Sequence, residues 1–95
     1  MEIPKKIKAY GLTYNIKLKK QVKDKEGKWD GLIHHRKCII ELNKTLKKER
    51  VEKNLFHEIT HLIACESDIK LTEHKVELIS NGFYSILKDN KLLKR

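Results

Sequence analysis

Within a chain of 95 residues, His57-Glu58-Ile59-Thr60-His61 is the stretch that most restricts what the whole can become. On an α-helix, residues four apart lie about 40° apart around the axis and about 6 Å along it. His57 and His61 therefore face the same way and can share one tetrahedral Zn²⁺. Glu58 lies about 60° round from His61, near enough to act on a water without itself binding the metal. That layout is the helix of a zinc-dependent hydrolase, with Glu58 as general base. The fold must then supply a third ligand, a supporting sheet and a cleft.

The residues before the motif predict the sheet. From Gly11 to Val22, Leu12, Tyr14, Ile16 and Leu18 alternate with Thr13, Asn15, Lys17 and Lys19, the period of a half-buried strand. Lys23–Lys28 is a polar turn. Trp29–His35 reads as a second strand and Lys37–Leu42 as a third, joined by too short a link to be anything but an antiparallel hairpin. Gly31 marks a bulge or a close backbone approach. Trp29 is the expected anchor of a thin core. Residues 1–10, with Pro4 and several lysines, form a flexible tail or a capping segment.

Asn43-Lys44-Thr45 offers N-caps for a helix from about Leu46 to Glu66, whose core stripe is Val51, Leu55, Ile59, Leu62 and Ile63. Thr72 is an N-cap for a second helix reaching Leu87 or Lys88. Its apolar face is Val76, Ile79, Phe83, Ile86 and Leu87, with Glu73, Glu77, Ser80 and Tyr84 on the adjacent face. The fold class is thus α+β: one minimal zincin-like domain over 1–95, a three-stranded, mainly antiparallel sheet packed against two helices.

A catalytic zinc takes three protein ligands. Glu73 and Glu77 stand one turn apart on the second helix, and spacing alone does not choose between them. His74 and Cys65 are chemically able, although a lone helix cysteine is more often a packing residue. His34 and His35 are neighbours in a strand and face opposite sides, so they cannot serve one metal together. His35 remains an auxiliary candidate as a donor to a tetrahedral intermediate. Tyr84, two turns beyond Glu77, is another, more naturally a packing residue.

The segment Leu55–Ile63, followed by Glu77-Leu78-Ile79-Ser80-Asn81-Gly82-Phe83-Tyr84, resembles the ImmA/IrrE-type metallopeptidases, especially the short versions of phages and mobile elements. In that family the third ligand is a glutamate followed three residues later by a small residue, then Asn or Asp, then an aromatic or apolar pair. Glu77, Ser80, Asn81 and Phe83-Tyr84 fit that spacing and Glu73 does not, so the resemblance implies Glu77 as third ligand. Ser80 stands where alanine is usual. The resemblance also implies one Zn²⁺ and a protein or peptide substrate, commonly a helix-turn-helix repressor. The matching residues cover about a third of the chain.

The formal charge of +9 raises a nucleic-acid alternative. The lysines are scattered, however, with no basic helix, and only Arg36, Arg50 and Arg95 among the 22 basic residues are arginine. A solvated surface accounts for this pattern. A SprT-like peptidase working near DNA would need a histidine where Ser67 stands. A zinc-containing module that binds a protein without cutting it is the other alternative. The start of the chain lacks a signal-peptide core, no run is long enough to span a bilayer, and Cys38 and Cys65 are the only cysteines. The expected setting is the cytoplasm of a bacterium or a phage-infected host.

Overall fold

The structure is a computed structural model that describes residues 1–93. Its strands are β1 (Lys6–Ala9), β2 (Leu12–Lys19), β3 (Val22–Asp24), β4 (Gly27–Trp29), β5 (Gly31–His34) and β6 (Ile39–Asn43). Two helices follow, α1 (Lys48–Glu66) and α2 (Glu73–Asp89). The main sheet has four strands in the order β1-β2-β6-β5, and β3 and β4 form a separate two-stranded sheet. The class is α+β, but the sheet is larger and more mixed than the three antiparallel strands expected.

Two local features account for the difference. Tyr10 and Gly11 both take left-handed backbone angles (φ 54° and 76°), which makes a two-residue hairpin turn and pairs Ala9 with Leu12. Part of the expected tail is therefore an edge strand, and Met1, Ile3 and Ile7 pack against the core. Second, the chain leaves the sheet through the β3–β4 hairpin and returns as the far edge, β5. The gap beside β2 is then filled by β6, which pairs parallel with β2 (Ile16 with Ile40, Leu18 with Leu42) and antiparallel with β5 (Ile33 with Ile40). Flanked on both sides, β6 carries the fully buried Ile40 and Leu42.

Trp29 is not a core anchor. It lies on β4, outside the main sheet, and is 42% exposed. Its indole Nε1 donates to Asp24 Oδ1 at 2.8 Å, and the same oxygen accepts from the backbone N–H groups of Glu26 and Gly27. These bonds, Trp29's first, hold the Asp24 carboxyl below its ordinary range.

The core lies between the sheet and α1, where Ile16, Ile40 and Leu42 meet Val51 and Leu55. Leu62 is also buried, whereas Ile63, expected inside, is exposed. Asn43 and Thr45 bond each other in a turn and do not cap α1, which starts at Lys48. Thr72 does cap α2, its hydroxyl accepting from the Lys75 N–H at 3.2 Å.

α2 is rotated from the expected face. Val76, Ser80 and Tyr84 are buried, while Ile79, Phe83 and Ile86 are exposed. Polar partners on α1 account for the rotation. The Tyr84 hydroxyl donates to the buried Glu52 carboxylate, and the Glu73 and Glu77 carboxylates reach His57. Ser80 supplies the small residue needed where the helices meet, its hydroxyl turned back to the Glu77 carbonyl at 3.2 Å. Among the described residues, no helix is long and apolar enough to cross a membrane.

Candidate metal centre

The helical spacing of His57 and His61 does what geometry requires: their rings lie edge to face with centroids 4.9 Å apart. Thr72 starts α2 so that its first turn stands over them. Glu73 touches both rings, with Oε1 2.5 Å from His57 Nε2 and Oε2 3.1 Å from His61 Nε2. Glu77, one turn on, lies against the other nitrogen of the same ring, its Oε2 2.8 Å from His57 Nδ1. Asn81 Nδ2 donates to the remaining Glu77 oxygen at 3.2 Å.

One ligand atom from each of His57, His61 and Glu73 fits within a span of 4.8 Å. Bonds of about 2.0–2.1 Å in a tetrahedral site put donors about 3.3 Å apart, so small side-chain movements would admit Zn²⁺. Two imidazoles and a carboxylate are also the donor chemistry that zinc takes in hydrolases. Glu77, named as third ligand on the resemblance, contacts the other nitrogen of His57, whereas Glu73 contacts both rings. Burial, then the nearby His57 and His35, lower the His61 pKa against the pull of Glu73. The neutral imidazole that results is the form that binds metals.

Glu58 is buried beside this cluster, only 6% exposed. Burial raises its pKa to about 7, with Glu73 and Glu77 adding to the effect and His57 opposing it. It lies under β5, where Gly31 provides the room. A β-carbon on Gly31 would stand 3.2 Å from Glu58 Oε2 and 3.3 Å from Leu42 Cδ2. Gly31 keeps regular pairing with Leu42, so it is a close-approach glycine and not a bulge.

A cleft of about 490 Å³ opens beside these residues. One wall is His57, Glu58, His61, Glu73 and Glu77; the other is Asp24, Glu26, Trp29 and Asp30 of the hairpin region, with Gly31 and Leu32 of β5. Every charged side chain other than histidine in this lining is a carboxylate. Asn54 also lines it, and its Nδ2 is buried without a partner among the described residues. Sequence reasoning passed over both the hairpin wall and Asn54. The position of Asn54, three residues before His57 and four before Glu58 on the same helix, was the available signal.

The other sequence candidates lie elsewhere. His35 is exposed in the β5–β6 turn and is not part of the cleft wall. His34 faces away, its Nε2 3.2 Å from Glu41 Oε1, in a second cleft lined by Lys19, Lys23 and Lys37. Tyr84 is committed to Glu52 and also accepts from Lys88 Nζ at 3.2 Å. His74 and Cys65 are exposed, and Cys65 and Cys38 are both free thiols. Compared with protein-family models, with curated proteins and with solved structures, the chain matches none of them.

Proposed function

We propose that this chain is a zinc-dependent peptidase of the ImmA/IrrE type that cleaves a protein substrate. The observation that carries the reading is the convergence of His57, His61 and Glu73 beside the buried Glu58, in a cleft bounded by an edge strand. His57, His61 and Glu73 would hold the ion, and Glu77 would orient His57. Bound there, Zn²⁺ would supply Lewis acidity and bring the ionisation of water toward neutral pH.

Glu58 accepts the proton of the attacking water as its oxygen adds to the peptide carbonyl carbon. The carbon–nitrogen bond then breaks, and the proton passes from Glu58 to the leaving amine. A carboxyl titrating near 7 suits both directions of that transfer. An extended substrate segment lies along β5, the sheet edge that borders the cleft, and takes main-chain hydrogen bonds from it. Asp24, Glu26 and Asp30 on the opposite wall favour a segment carrying lysine or arginine. A DNA-binding repressor, the substrate type that the resemblance implies, is rich in both. The setting that goes with it is the cytoplasm of a bacterium or a phage-infected cell.

The test is Glu58→Gln assayed on zinc-loaded protein against a degenerate peptide library, with bound metal measured by elemental analysis. The reading expects full zinc and no cleavage. A variant that retains full activity overturns it.

A further inference from the structure

The exposed face of α2 is apolar and takes no part in the candidate metal centre. Leu78 (60% exposed), Ile79 (40%), Phe83 (61%) and Ile86 (60%) lie on it. At 100° per residue, Leu78, Ile79, Gly82 and Ile86 fall within an arc of about 100°, bordered by Phe83. The arc is centred about 150° from the buried Val76, Ser80 and Tyr84. α2 is therefore apolar on two sides, and the described residues cover only one of them.

From the charges along this face, we infer that a second copy of the chain covers it, through antiparallel α2–α2 packing about a two-fold axis at Gly82. The sequence of the face complements itself about that residue. Lys75 precedes Gly82 by seven positions and Asp89 follows it by seven, so the axis sets each Lys75 opposite the other copy's Asp89. The same axis puts each Leu78 beside the other copy's Ile86. Leu78, Gly82 and Ile86 form one ridge of residues four apart, the kind that packs into a facing groove. A β-carbon on Gly82 would meet nothing within 4 Å in the single chain. The glycine is thus not needed for internal packing, and at the crossing point it lets the two backbones approach closely. Lys75 makes no ion pair among the described residues, and Asp89 is bonded only by the Ser85 hydroxyl at 3.2 Å.

The pairing leaves the metal centre free, because Glu73 and Glu77 project from the other side of α2. A helix of 17 residues is about 25 Å long, so the contact is at the small end of specific interfaces. Two copies of charge +9 also repel. A weak dimer is therefore expected, with Kd on the order of 10–100 µM.

The test is sedimentation equilibrium of the full chain from about 5 to 500 µM, which spans that range on both sides. Mass should rise from 11.3 kDa toward twice that value. Ile86→Lys and Gly82→Leu should each weaken the dimer by at least about ten-fold. Circular dichroism checks that both variants fold, and Gly82→Leu has open space in the monomer. Lys75→Asp should weaken it as well, and the exchange Lys75→Asp with Asp89→Lys should restore it. A chain that stays monomeric at the highest concentration overturns the inference. So does a dimer that is indifferent to Gly82→Leu and Ile86→Lys.

Discussion

Gly31 on β5 and Glu58 on α1 are in contact across the sheet–helix boundary, with 3.2 Å between Glu58 Oε2 and the place where a β-carbon on Gly31 would stand. The helix and the edge strand thus share one fixed separation, set by the absence of a side chain. Gly31→Ala forces Glu58 or Leu42 to give by a few tenths of an ångström. We predict a stability loss of about 1 kcal/mol together with a fall of at least about ten-fold in kcat/KM, because Glu58, the proposed general base, is displaced. Thermal melts and peptide cleavage, measured side by side, check it; unchanged cleavage would detach Gly31 from the placement of Glu58.

Glu58 makes a second prediction, in metal-free protein. Its folded pKa of about 7 lies above its ordinary value of 4.5. The folded state therefore binds this proton more tightly than the unfolded state. The stability it contributes is intact below about pH 4.5 and is lost as pH rises through about 7, by an amount on the order of 3 kcal/mol. Glu58→Gln should accordingly be more stable than the parent chain at pH 8 and gain little at pH 4.5. Urea titrations in chelator at both values measure the difference, and a variant with the same advantage at each would be inconsistent with it.

Glu73 and Glu77 separate by their metal behaviour. Glu73→Ala should lose stoichiometric zinc on gel filtration. Glu77→Ala should keep it, with affinity reduced about 10–100-fold through loss of the bond to His57 Nδ1. The reverse outcome would make Glu77 the third ligand, as the sequence resemblance implies, and would move Glu73 to the orienting role.

Tyr84 and Glu52 form the buried polar link between the helices. Burial alone would raise the Glu52 pKa, but the Tyr84 hydroxyl, the Met1 amino group and Lys88 outweigh it and hold it lowered. The stability from this carboxylate is present above its ordinary value of 4.5 and is lost as pH falls through the lowered folded value. Tyr84→Phe should cost about 1–3 kcal/mol near neutral pH, leave zinc content intact and make the acid loss shallower. Acid titrations followed by circular dichroism test both parts, and a Tyr84→Phe variant without zinc would place Tyr84 in the site after all.

What could be read in the sequence was what local pattern encodes. Alternation gave β2, the three-to-four spacing gave α1, Thr72 gave the start of α2, and the motif gave two ring faces side by side. What could not be read depended on partners distant in the chain. β1 is four residues long in a lysine-rich segment, and only its register against β2 makes it a strand. The parallel pairing of β2 with β6 depends on where the β3–β4 excursion returns the chain. α2 carries apolar residues on two faces, so periodicity alone does not say which is buried. Tyr84 and the two glutamates decide that by meeting Glu52 and His57. Which nitrogen each of Glu73 and Glu77 reaches likewise depends on how α2 crosses α1.

Among the described residues, β6 is the last strand in the chain and takes a central place in the sheet. Until Asn43 has left the ribosome, β2 and β5 have no common neighbour, and each presents an unpaired edge. α1 begins only five residues later. Closing the sheet and delivering the helix that bears His57, Glu58 and His61 are therefore consecutive events in chain growth. His57, Glu58 and His61 all follow β6 in the chain, so a chain halted before β6 has neither the closed sheet nor these residues.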